Sequence, residues 1–169
     1  MARGWSTSER ETAGAIESRQ WIDIANEVVT DDEVGARDLG RRYLDEVRLF
    51  TRGLVRPRWT EHEVVLAVAG RVPLLRFGPP EVAVGGERVE CRFPIRGGLL
   101  AARPGGSLVI AQRAGGRREL ELLVAGYFPR LGGSTRKRSL RRALYGGVQA
   151  RAHRAISRRF LERAAGAQG

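Results

Sequence analysis

Two histidines and one cysteine are all the imidazole and thiol chemistry available to this chain of 169 residues. His153 stands four residues after Gln149 and three before Ile156, in a run where Val148, Ala152, Ile156 and Phe160 recur at a spacing of four. That spacing draws an apolar stripe along one side of a helix, with Gln149 and His153 beside it on the buried side and Arg151, Arg154 and Arg158 opposite. An imidazole so placed is an acid–base group or a hydrogen-bond partner for a ligand carbonyl. The same placement suits a core histidine satisfied by a backbone carbonyl or by the Tyr145 hydroxyl.

Other candidate chemistries fail on spacing. Glu61-His62-Glu63 offers donors to a metal, but one further histidine and the single Cys91 cannot complete a tetrahedral set. No metal is expected, and the acids should be solvated at the start of a strand. Gly132-Gly133-Ser134-Thr135, followed by Arg136-Lys137-Arg138, has the composition of a phosphate cradle without the spacing of one, and reads as a flexible basic loop. Neither Ser107 nor Ser134 sits in a nucleophile elbow. Cys91 falls mid-strand on an apolar face, the setting of an inert packing thiol.

Charge is unevenly distributed. The bases are 29 arginines and Lys137, a ratio that matches the codon bias of a GC-rich genome. Residues 1–50 carry a net −4, residues 51–129 a net +5 and residues 130–169 a net +10, the last with Glu162 as its one acid. The acidic head and basic tail can pack against each other. Alternatively, Arg136, Lys137, Arg138, Arg141 and Arg142, five bases in seven residues, can meet phosphate backbones or an acidic protein. Stacking aromatics are sparse there, with Tyr145 and Phe160 nearest, and no helix-turn-helix, zinc-finger or RNP pattern appears.

A hydrophobic content of 42% with 29% charged residues belongs to a folded, water-exposed chain. The longest apolar runs, residues 64–70 and 120–128, are far shorter than a membrane span, and no apolar leader core follows Met1. The expected setting is the cytoplasm. The lone cysteine excludes an internal disulfide.

The elements that would position His153 follow from periodicity. Residues 1–18 read as a flexible polar tail, 19–165 as one domain and 166–169 as a disordered end. Trp21–Val29 alternates as a first strand. Asp31, Asp32 and Glu33 then open a helix over Val34–Leu54, where Leu39, Tyr43, Val47, Phe50 and Leu54 recur at three and four, and Gly53 and Pro57 stop it. From residue 60 the period becomes two, giving strands at Glu63–Val72, Pro80–Val84, Arg88–Ile95, Ser107–Arg113 and Glu119–Phe128, with a short one at Val72–Phe77. Val89, Cys91, Phe93 and Ile95 oppose Arg88, Glu90 and Arg92. Leu120, Leu122, Val124 and Phe128 likewise oppose Glu119, Glu121 and Tyr127. A sheet dry on one face is antiparallel and needs a cover. That cover is the terminal helix, with Ser139 as its N-cap and an interruption at Gly146-Gly147.

This order, β–α–β(five or six)–long α, resembles the helix-grip fold of the polyketide cyclase, lipid-transfer and START-like (SRPBCC) superfamily over roughly residues 20–165. Reinforcing stretches are Gly126-Tyr127-Phe128-Pro129-Arg130-Leu131 leaving the last strand, then Leu144-Tyr145, Gln149, His153 and Ser157-Arg158-Arg159-Phe160 in the helix. The resemblance implies an α+β architecture, a curved antiparallel sheet of about six or seven strands gripping the C-terminal helix. A single long helix after the first strand departs from the two short ones usual there, so a small lipocalin-like β-barrel with flanking helices is the alternative. The resemblance further implies a cavity between sheet and helix for a hydrophobic small molecule such as a polyketide, lipid or aromatic product. Phe93, Cys91, Phe128 and Ile156 would wall it, with Gln149 and Tyr145 as its polar groups. As an enzyme it would be a cofactor-independent cyclase or aromatase, with His153 as acid–base and a substrate arriving on an acidic carrier protein met by Arg136, Arg138, Arg141 and Arg142. Two alternatives are a non-catalytic ligand carrier and a nucleic-acid- or polyanion-binding module using residues 130–163.

Overall fold

The computed structural model describes residues 4–130 and 138–166, the latter with side chains from residue 149 onward. Its first element lies inside the segment expected to be a tail. Ser6–Thr12 (β1) and Ala15–Asp23 (β2) form an antiparallel hairpin in which Thr12 faces Ala15. The residues between, Ala13 (φ 51°) and Gly14 (φ 79°), are both left-handed, as in the type I′ turn whose twist suits a hairpin. β1 is polar and exposed along nearly its whole length, so it has no buried face to betray it in the sequence.

Asp32 caps Glu33–Phe50 (α1), its carboxylate accepting from the Gly35 backbone N–H at 2.7 Å. Val55–Trp59 (β3) follows, a strand that periodicity missed because Pro57 reads as a breaker. β3 is an edge of the sheet, where a missing N–H costs no ladder bond. Val64–Val68 (β4), Val72–Phe77 (β5), Glu81–Gly85 (β6), Arg88–Gly97 (β7), Ser107–Arg113 (β8), Glu119–Tyr127 (β9) and Arg138–Gly166 (α2) complete the order. The sheet runs β1-β2-β9-β8-β7-β5-β4-β3, with β6 paired to the first half of β7. The fold is α+β, with an open antiparallel sheet of nine strands rather than six or seven. It is not a closed barrel. No helix among the described residues is long and apolar enough to cross a membrane.

Register decides which residues face the helices. Three rows share the inner face: Ile22–Leu120–Gln112–Val89, Gln20–Leu122–Ile110–Cys91 and Ser18–Val124–Leu108–Phe93. The cover is divided between two helices, whereas the pattern assigned it to the last one. α1 packs on β3, β6, β7 and β8, and α2 on β2 and β9. Gly40 permits the close approach of α1, since a Cβ there would stand 2.6 Å from Cys91 Sγ and 2.8 Å from Phe93 Cζ. On the opposite face, burial would push the Glu121 carboxyl up, but hydrogen bonds from Arg19 (2.7 Å) and Arg88 (3.2 Å) hold it below its usual range.

Near the end of β9 the alternation reverses. Ser18 faces Val124 and Ile16 faces Tyr127, so β9 inserts an extra residue there, and Gly126 supplies the left-handed φ of 64° at this bulge. Tyr127 therefore joins the core beneath α2, while Phe128, expected on that face, lies under the Arg103 guanidinium at 3.7 Å from its ring centroid. α2 runs unbroken through Gly146 and Gly147, and Ser139 stands inside its first turn rather than at its N-cap.

Candidate functional site

Three contacts fix α2 over β2. Gln149 Nε2 donates to Tyr127 Oη at 2.6 Å, and Tyr127 faces Ile16. Arg154 pairs with Glu9, which faces Ser18. The Arg158 guanidinium lies 5.6 Å from the Trp5 ring, beside the Ser6–Trp21 pair. From Gln149 to Arg158 a helix rises about 14 Å, and from Ile16 to Trp21 a strand extends about 17 Å, so the two run in the same direction and nearly in step. On that register His153 falls at the level of Ser18 and Gln20, and Ser157 at the level of Gln20 and Ile22.

What meets at this crossing is polar. Gln20 and Ser157 are 0% exposed and Ser18 is 4% exposed. Among the described residues, Ser18 Oγ, Gln20 Oε1, Gln20 Nε2 and His153 Nε2 are buried without a hydrogen-bond partner, and Ser157 Oγ, also buried, has the Tyr43 hydroxyl as its neighbour. α1 contributes Tyr43, whose hydroxyl is 3.5 Å from His153 Nδ1 and whose ring meets Phe160 edge-on at 5.5 Å. A second buried glutamine on the same inner face shows the contrast. Gln112 accepts from the Val28 and Val29 backbone N–H groups at 2.6 and 3.1 Å and donates to Val29 O at 2.9 Å, fastening the loop that leads into α1. Gln20 makes no such bond. An unpartnered buried polar atom costs about 1–3 kcal/mol, and four of them would be comparable to much of the stability of an ordinary domain, roughly 5–15 kcal/mol. A hydrogen-bonding occupant, water or ligand, would relieve that cost if the packing opened to admit it.

The cluster is electrically neutral at physiological pH. Burial, with a smaller push from Arg154, holds the His153 imidazole down to about 4. Burial pushes the Tyr43 hydroxyl up to about 12, with neighbouring Ser157 pulling the other way. His153 is therefore neutral near pH 7 and weakly basic, suited to hydrogen bonding, and the imidazolium half of its expected acid–base role is not populated. If the Tyr43 hydroxyl donates to Nδ1, Nε2 carries the hydrogen and faces the cluster as a donor.

The remaining expected residues divide by place. Ile156, 8% exposed, borders the cluster on α2. Gln149 is half-buried at its far end with its amide nitrogen committed to Tyr127, which itself donates to Leu100 O at 2.6 Å. Cys91 and Phe93 lie under α1, not α2, and burial pushes the Cys91 thiol up to about 12. The side chains of Tyr145, Arg136, Lys137, Arg138, Arg141 and Arg142 lie outside the described residues. His62 is exposed, and Glu63 pairs with Arg76 at 3.1 Å. Ser18 and Gln20 drew no notice in the sequence, while Tyr43 stood there as a core position of the first helix and Ser157 in the stretch that carries the resemblance, neither as a site residue. Ser18 and Gln20 alternate with Arg19 and Trp21, a signal visible once β2 is started at residue 15. Ser157 stands one turn after His153 on the same helix face.

The basic tail meets the acidic head directly. Arg159 and Arg163 hold Glu46 of α1 at 2.6 and 3.1 Å, and Arg154 holds Glu9 of β1 at 3.0 Å. Two open clefts lie elsewhere, one of about 660 Å³ beside Val34 and Arg37 and one of about 360 Å³ among Arg48, Arg52 and Arg56. Comparison of the chain with protein-family models, curated proteins and solved structures finds no match.

Proposed function

We propose that this chain binds a small molecule with an apolar body and a polar head, seated between β2 and α2. The observation that carries the reading is that Ser18, Gln20 and His153, on two elements that otherwise pack as a dry core, hold four buried polar atoms without partners among the described residues. Apolar neighbours Leu122, Val124 and Ile156 flank the polar groups, the composition usual for a small-molecule site. Burial loosens toward Gln149, Ala152 and Val124, all half-buried, which marks the end from which a ligand would enter. This is the place where the helix-grip resemblance sets its ligand. A carrier fits it more directly than a cofactor-independent enzyme, because a His153 held at about 4 serves as a hydrogen-bond partner and is a weak general base. The polyanion-binding reading draws less support, because Arg154, Arg158, Arg159 and Arg163 are each engaged by a carboxylate of the chain itself.

Fluorescence titration with the neutral dye N-phenyl-1-naphthylamine tests the site. One dye should bind per chain, and His153→Leu or Ser157→Ala should weaken binding about tenfold while the circular dichroism spectrum is kept. A cluster that holds water alone would bind no dye. Dye binding indifferent to both substitutions would place the site elsewhere.

A further inference from the structure

We infer that the ligand presents an uncharged group with a hydrogen-bond donor and an acceptor side by side, such as a lactam, an imide or a carboxamide. This rests on the reading of the cluster as a ligand site and narrows the chemistry of what it takes.

Gln20 carries the inference. It is fully buried, it faces α2 from the centre of β2, and neither end of its amide finds a partner among the described residues. A free amide edge offers one acceptor and one donor in a fixed plane, and its complement is another such edge, met by two bonds at once. A lone hydroxyl or ether would satisfy one end and strand the other. Ser18 and Ser157 adapt to this pairing because a hydroxyl both donates and accepts.

Charge excludes the obvious competitors. No charged side chain among the described residues completes the cluster: Arg154 turns to Glu9, Arg158 to Glu162, and Arg159 and Arg163 to Glu46. Tyr43 and His153, the titratable groups within it, are both neutral at pH 7. A carboxylate or ammonium head would sit here desolvated and without a counter-ion, the costliest way to bury a group.

Octanamide, octanoate and octylamine share a chain length and differ in the head group. Titrated calorimetrically at pH 7 into the full chain, octanamide should bind, with the two charged amphiphiles weaker by about 100-fold. Gln20→Leu should weaken octanamide about tenfold and raise the melting temperature of the ligand-free protein, since it removes a buried amide without partners. Ser18→Ala, a smaller change that keeps the strand packed, should weaken octanamide in the same sense and serves if Gln20→Leu does not fold. Octanoate or octylamine within about threefold of octanamide overturns the inference while leaving a ligand site. So does an octanamide affinity that neither variant moves. Dye binding without binding of any octyl amphiphile also overturns the inference alone, whereas failure of the dye as well removes the site on which it rests.

Discussion

His153 is held neutral by its surroundings, and that ties the stability of the protein to pH. Its imidazole has an ordinary value of 6.5 and a folded value of about 4. Between those values the unfolded chain binds the proton and the folded one does not, so stability falls as pH drops from 6.5 and the loss is complete below about 4. The size of the shift corresponds to about 3 kcal/mol. Urea melts of wild type and His153→Leu at pH 7 and pH 4.5 should show the wild type losing markedly more stability than the variant; parallel losses would mean that the imidazole is solvated. His153 was legible in the sequence because a helix stripe needs one period and nothing else. Gln20 and Ser18 were not, since their inward direction depends on where β2 starts, and a polar hairpin partner hid that start. Phe128 was misplaced for a related reason: the Gly126 bulge shifts parity by one, and alternation read along a strand cannot see an inserted residue.

Among the described residues, helix α1 covers four strands of the sheet and α2 two, and a single glycine sets the distance of α1. Gly40 faces Cys91 and Phe93, both essentially inaccessible, and neither is a flexible surface chain able to swing away. Gly40→Ala gains helix propensity of about 1 kcal/mol but forces overpacking of about 1–3 kcal/mol, so the net expected change is a lower melting temperature. Cys91→Ala in the same chain vacates the position of the sulfur and should recover part of the loss, and a strictly additive double mutant would show that the two do not touch. Strands β7 and β9 were readable because apolar and charged residues alternate along them, and β8, buried on both faces, because it is a short apolar run. The edges β1 and β3 were not, the first lacking any dry face and the second containing Pro57. The division of labour between helices lay beyond reading altogether, because α1 and α2 are both amphipathic and only topology decides which strands each one covers.

At the scale of the whole molecule, the segregation of charge resolves into contacts between the chain's two ends. Glu46 is 6% exposed and anchors two arginines of α2, whose side chains are themselves about half exposed. Glu46→Ala frees both arginines to water, so the expected cost is about 1–2 kcal/mol, less than for a fully buried pair. Thermal melts at low and high salt should show the wild type losing part of that advantage as ions screen it, with the variant changing less. An equal response would mean that the pairing contributes nothing. Segment charges in the sequence established that head and tail could attract. Which acids were used depended on the hairpin that carries Glu9 to the flank of α2.

The pairing of β2 with β9 also fixes a timetable. Arg19 and Glu121, bonded across that pair, are 102 residues apart in the chain. Closing so long a loop is entropically expensive and typical of slow folders. During synthesis the first hairpin and α1 leave the ribosome with Ile22, Leu39 and Leu44 lacking the strands that bury them, and β2 must wait for β9, until about three quarters of the chain has been made. The polar groups of β2 then have a kinetic benefit apart from any ligand. A waiting strand with Ser18 and Gln20 on its inward face is less adhesive than one with two more aliphatics, so the residues that burden the finished core protect the unfinished one.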